Sequence, residues 1–256
     1  MRAAWIGLRR FASQRPAFLW SAALFLAASP GFPHPLPALA APRSDARVQE
    51  ILDGNELYID QKQAKVNQLA YRPELISTKQ SRGSVAFSSG AQARINKNSQ
   101  LRLGSDCARL TQGQMLVSGK QNTCVGAVKM SVRGTHYLVE VIDDGSTEVA
   151  VLDGQMSFSP GDTATKLRPG SQEFAQREVL RFAPDGQLLS RRCLVASDYR
   201  RYLASDLIQG FFFPLPKVQA LASTLTMNVP GASQLLGLLN TGGNRGLLGL
   251  PFGLGF

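Results

Sequence analysis

The stretch Val128–Phe158, VKMSVRGTHYLVEVIDDGSTEVAVLDGQMSF, decides the fold of this chain. Val128, Met130 and Val132 alternate with Lys129 and Ser131, the pattern of a strand with one buried face. Tyr137, Val139 and Val141 then share one face, and Leu138, Glu140 and Ile142 the other. Asp143-Asp144-Gly145-Ser146 has turn chemistry, because Asp accepts local backbone hydrogen bonds and Gly takes positive φ freely. Thr147–Leu152 reads as the return strand, Asp153-Gly154 as a hairpin turn, and Gln155–Phe158 as the next strand. With Arg133-Gly134-Thr135 interrupting the first run, the stretch predicts three or four strands folded back and forth at glycines.

The same punctuation extends upstream. Short apolar runs at Leu57–Ile59, Val85–Phe87, Ala91–Ile95, Leu101–Leu103, Cys107–Leu110 and Gln114–Val117 are separated by Gly, Asn, Asp and Ser clusters. Such units at roughly 8–12 residue spacing predict an all-β sandwich or jelly-roll-like roll of short antiparallel strands. Downstream, Gln172–Phe182 reads as a strand pair, and Ser197–Gln209 as one C-terminal helix. Ser197 is the expected N-cap, Tyr199, Tyr202, Leu203 and Leu207 the buried face, and Gly210 the residue past the end. The helix is expected to sit on the end of the β-domain. Residues 211–256 hold four prolines, many glycines and no acid, with leucines strung between them. This apolar, Gly-rich composition predicts a poorly ordered tail; the alternative is a sticky segment touching a membrane surface or a partner.

The motif VRGTHYLVEV, the DDGST loop and EVAVLDGQMSF resemble the centre of the FecR family of envelope sensory domains. Gly83-Ser84-Val85-Ala86-Phe87, Asn98-Ser99 and Leu101-Arg102-Leu103 extend the likeness. The resemblance implies a FecR-like β-domain over residues 45–158, under half of the chain, followed by a hairpin and helix extension over 159–210. It implies a binding or sensory role toward an envelope protein or glycan. Arg133, Gly134 and Thr135 are the family motif and are read as turn-shaping residues, not as ligand contacts. In the family a cytosolic segment that handles a sigma factor precedes a membrane helix. Here the apolar run already begins at Ala17, so sigma-factor control is not carried over.

The chain has 256 residues and a formal net charge of +10. Arg2, Arg9, Arg10 and Arg15 supply four of those charges within residues 1–40, which contain no acid, so the remainder carries +6. Its basic residues are scattered among acids, with no basic helix or aromatic single-strand platform, which argues against nucleic acid. The N-terminal order of arginines, the apolar run Ala17–Ala28 and Ala38-Leu39-Ala40 is that of a signal peptide over residues 1–40. Export to the periplasm or beyond follows, with an uncleaved anchor as the alternative.

Cys107, Cys124 and Cys193 then meet an oxidising compartment, where pairing is the default. Cys107 opens one strand and Cys124 lies in the loop after the next, so these two are expected to form a disulfide. Chemistry is otherwise sparse. Past the signal segment the only histidine is His136, read as an ordinary sheet residue. One histidine argues against a zinc site, whose ligands come in clusters. No nucleophile-elbow sequence, calcium-loop spacing or Gly-rich phosphate cradle appears. The sequence therefore predicts no enzyme, metal or cofactor. Its two readings are a binding module and a structural envelope component held by its apolar tail.

Overall fold

A computed structural model describes residues 45–160 and 173–240 of the protein. The proposed signal segment and residues 241–256 lie outside them. The described chain is mostly strand. It begins with β1 (Ala46–Leu52), β2 (Leu57–Ile59), β3 (Lys62–Gln63), β4 (Leu69–Ala70) and β5 (Leu75–Thr78). Then come β6 (Arg82–Phe87), β7 (Gln92–Ile95), β8 (Gln100–Leu103), β9 (Ala108–Gly119) and β10 (Thr123–Val125). The last strands are β11 (Val128–Val141), β12 (Thr147–Pro160), β13 (Glu173–Ala175), β14 (Glu178–Phe182) and β15 (Leu188–Cys193). All join in one sheet of order β15-β14-β12-β11-β10-β9-β7-β6-β1-β4, with β13 beside β12 and with β2, β3, β5 and β8 branching from β9. Every pairing is antiparallel except β9 with β10.

Val128–Phe158 lies in two strands, not in the three or four that its glycines predict. β11 and β12 are 14 residues each and pair from Val128↔Pro160 to Val141↔Thr147. Their connection is the expected Asp143–Ser146 turn, where the Ser146 N–H donates to Asp144 Oδ1 at 2.8 Å. The glycines read as further turns are bulges inside the ladder instead. Gly134 (φ +62°) and Gly154 (φ +75°) lie where the register slips between Arg133 and Tyr137. A positive-φ glycine serves a tight turn and a bulge equally well, and the flanking pairing decides which. Here both flanks keep partners: β10 holds the first part of β11, and β9 the second. The bend lets one strand serve two neighbours.

β9 bends in the same way. Its first half pairs with β8 and its second with β7, around Gly113 (φ +78°). The sheet thereby rolls over a single interior. Val48, Leu57, Ile76, Val85, Ile95, Leu101, Leu110, Met115, Tyr137, Val139, Val149 and Val151 are fully buried in it. Cys107 and Cys124 are disulfide-bonded with a Cα separation of 5.7 Å, while Cys193 is a free, exposed thiol on β15.

The described residues contain three helices where the sequence predicted one: α1 (Ala196–Leu203), α2 (Val218–Asn228) and α3 (Ala232–Asn240). α1 starts at Ala196 and ends at Leu203, not at Gln209, so Leu207 and Gly210 lie beyond it. Its N-cap is Val195, not Ser197, and Asp198 takes the Val195 backbone N–H at 3.0 Å while Arg192 grips the same carboxylate. The helices lie on the outer face of the sheet, not on its end. Leu221, Leu225, Leu235 and Leu239 pack with Tyr199 and Leu203 onto Leu116, Leu138, Ala150, Leu152 and Val179. Residues 211–240, expected to be poorly ordered, are therefore part of a second core. Gly237 inside α3 costs about 1 kcal/mol relative to Ala, and each buried Leu returns roughly 1.5–3 kcal/mol.

The bulge makes a testable contrast. Gly134→Val forces a β-branched residue to φ +62° and is expected to cost about 1–3 kcal/mol. Arg133 is exposed, and Arg133→Ala leaves the backbone alone, so its cost is expected to be smaller. Chemical denaturation of both variants decides it; equal losses would show that the Arg133 side chain is structural.

Candidate functional site

The outer face of the sheet is apolar in the middle and polar toward β1. Register makes this visible as two lateral rows. One runs Glu50, Ser84, Arg94, Leu116, Leu138, Ala150, Val179 across β1, β6, β7, β9, β11, β12 and β14. The other runs Gln92, Ser118, His136, Asp153 across β7, β9, β11 and β12. Directly opposed residues in antiparallel strands share a face, so each row is a line of neighbouring side chains. The helices cover the leucines. The polar remainder is covered by residues 204–217, the strap between α1 and α2, which has neither helix nor strand.

The polar side chains spend themselves on the strap's main chain. Arg82 pairs with Asp53 through Nε (2.5 Å) and Nη2 (3.1 Å), and its Nη1 donates to the carbonyls of Asp206 and Gln209. Arg94 donates to the carbonyls of Leu207 (3.3 Å), Ile208 (2.9 Å) and Phe213 (2.7 Å). Glu50 accepts the N–H groups of Phe212 (2.7 Å) and Phe213 (3.1 Å). The buried Phe211 ring lies 4.3 Å from the Arg94 guanidinium and 5.5 Å from that of Arg82, within cation–π range. Each side chain is nearly out of water: Arg94 is 2% exposed, Glu50 7% and Arg82 8%. Such burial demands full use of every charge. Burial pulls the Arg94 guanidinium down to about 10, with Glu50 opposing that and Arg82 adding to it; it stays a cation at neutral pH.

A second clasp sits at the bulge. His136 Nδ1 is 3.0 Å from Asp153 Oδ2, and its Nε2 is 2.9 Å from the Pro216 carbonyl oxygen. Both partners are acceptors, placed where either ring nitrogen can donate an N–H. Ser118 Oγ donates to the same carbonyl at 2.6 Å, and Thr224 of α2 donates to Asp153 Oδ1 at 2.9 Å. Ser118, His136 and Asp153 thus stand in one row, as in a hydrolase. Yet Ser118 and His136 both turn to the Pro216 carbonyl, and no Ser–His hydrogen bond activates a nucleophile. Among the described residues no cluster of His, Cys, Asp and Glu could hold a metal ion.

Asp153 shows the electrostatic balance. Burial pushes its carboxyl up, but the hydrogen bonds from His136 and Thr224 outweigh this and leave it below the usual 3.8. Arg82 lowers Asp53 and Arg192 lowers Asp198 in the same direction. A folded-state value below the unfolded one adds stability that is complete above about pH 4 and disappears as the pH falls through the lowered values. Unfolding midpoints are therefore expected to drop as the pH falls below about 4. Asp153→Asn is expected to flatten part of that drop. An unchanged acid profile in the variant would show that the His136 clasp adds nothing.

The motif residues Arg133, Gly134 and Thr135 belong to the bulge in β11, and the residue that follows them, His136, enters the site. Glu50, Arg82, Arg94, Ser118 and Asp153 were not singled out from sequence. Arg82-x-Ser84 and Gln92-x-Arg94 carry the available signal: polar residues at alternate positions of otherwise apolar strands.

No protein-family model matches this chain, and no curated protein does. Two crystal structures of a candidate anti-sigma factor from Parabacteroides distasonis ATCC 8503 are similar to it. Each has 16% sequence identity and a TM-score of 0.40, over 59% of this chain and 72% of the other. A likeness of that degree transfers no function.

Proposed function

We propose that this chain is an exported, non-enzymatic, FecR-like module of the cell envelope that works by binding another protein or a glycan. The observation that carries this reading is the line of buried charged side chains on the outer face, whose hydrogen bonds go to the main chain of a peptide segment. Recognition surfaces are built from such groups, whereas acid–base catalysis needs a side chain left free to exchange a proton. The VRGTHYLVEV motif supports the family resemblance. The Cys107–Cys124 disulfide suits an oxidising compartment, and among the described residues no helix is long and apolar enough to cross a membrane.

Crosslinking in intact cells, followed by identification of what is attached, tests the reading. A discrete protein or glycan adduct is expected. Adducts confined to lipid, or none at all, would favour a structural component of the envelope.

A further inference from the structure

We infer that the polar outer face is a peptide-binding groove that reads main-chain groups, and that the strap is its resident occupant, which a partner's peptide displaces. This rests on the binding-module reading above and gives it a partner chemistry: an irregular peptide segment with an aromatic residue, two free amides just after it, and carbonyls on both sides.

Three observations lead there. First, the groove's hydrogen bonds with the strap go to backbone carbonyls and amides: Arg82, Arg94, Ser118 and His136 to carbonyls, Glu50 to two N–H groups. Main-chain groups belong to every sequence, so another peptide can present them. They are free in the strap because it has no helical or sheet ladder of its own to use them. Second, the fit of the strap is incomplete. Arg94 Nε and Gln92 Oε1 are buried without a hydrogen-bond partner among the described residues, although Arg94 is 2% and Gln92 3% exposed. Native interiors rarely leave such atoms unsatisfied, and an occupant that reaches them binds better than the strap does. Third, the strap offers a handle. Phe212 is 73% and Phe213 44% exposed, side by side with ring centroids 5.6 Å apart, directly over the amides that Glu50 holds. A partner engaging this pair starts at the point where the strap can be lifted. Side-chain specificity comes from Phe211, which lies against two guanidinium groups, and from Leu207, Ile208 and Leu215, which are buried in the outer-face core.

The test uses the full chain and a fluorescent synthetic peptide of strap sequence, DLIQGFFFPLPK (residues 206–217). Gly210→Val loosens the strap, both by its backbone strain and by crowding its contact with Arg82. Gly210 has φ +84°, and a Cβ there meets the Arg82 guanidinium at 3.3 Å. An occupied groove weakens apparent affinity by the fraction of time it is open. Gly210→Val is therefore expected to bind the peptide at least about tenfold tighter than the unaltered protein. N-methylation of the peptide's two amides corresponding to Phe212 and Phe213, which removes the bonds to Glu50, is expected to lose about tenfold. A variant that keeps its β-rich circular dichroism but binds no better than the unaltered protein overturns the inference. If the variant fails to fold, hydrogen exchange of the unaltered protein decides. Exchange at the Phe212 and Phe213 amides well before those of β11 shows a strap that opens by itself. Exchange only together with β11 shows a fixed part of the core and overturns the inference. The two readings fail separately. A crosslinked partner whose attachment lies away from this face leaves the binding module standing without the groove. Peptide binding with no crosslinked partner leaves the groove standing without the cellular role.

Discussion

Arg94→Ala is expected to lower the stability of the fold by about 3–5 kcal/mol, the scale for removing one member of a buried charged set. The substitution deletes three hydrogen bonds to the strap and the cation over Phe211. It also leaves Glu50, 7% exposed, without the positive charge that faces it. Urea unfolding followed by circular dichroism gives the loss directly. Adding Glu50→Gln to the Arg94→Ala variant is expected to recover part of it, because the orphaned carboxylate is then neutral. A loss below about 1 kcal/mol for the single variant would mean that water replaces the arginine at no cost, as it does at exposed sites. The strap would then not be held by this face at all.

The second large effect concerns the helical layer. Leu221 and Leu225 are both 0% exposed, one turn apart on α2, and lie over the leucines of β9 and β11. Single Leu→Ala changes at such positions cost about 2–5 kcal/mol through lost transfer energy and the cavity left behind. The pair shares neighbours, so the double variant is expected to lose about 5 kcal/mol rather than the full sum. Exposed apolar surface should then register as dye binding. An unaltered urea midpoint would show that residues 218–240 only rest on the sheet and add nothing to it.

Several features were legible in the sequence because they depend on local chemistry. Alternation of apolar residues in Tyr137–Val141 follows from the two-residue period of a strand, and the structure buries Tyr137 and Val139 inside the roll. The Asp143–Ser146 turn needs only short-range hydrogen bonds and one glycine. The disulfide follows from two cysteines on neighbouring segments. The helix after residue 195 was visible from its spacing, although both ends were misassigned: Asp198 binds the Val195 backbone N–H, so Ser197 is not needed there, and the helix stops at Leu203 instead of Gln209.

Tertiary structure decided the rest, and the reason is the same in each case: the deciding partners lie far away in sequence. Gly134 and Gly154 have turn chemistry, yet they became bulges because β9 and β10 pair with the strand on both sides of the slip. The leucines of residues 211–240 are interrupted by Pro230 and Gly231, which hides their helical period. They fold because an apolar patch of Leu116, Leu138, Ala150 and Leu152 needs cover. The candidate site is the clearest instance. Arg94 lies more than a hundred residues from the strap carbonyls it binds, and Glu50 reaches the Phe212 amide across 162 positions. By itself the sequence determined an all-β chain with a central valine-rich hairpin and one disulfide. Only the rolled sheet, by setting register across seven strands, decided that its scattered arginines, glutamate and histidine would form one surface.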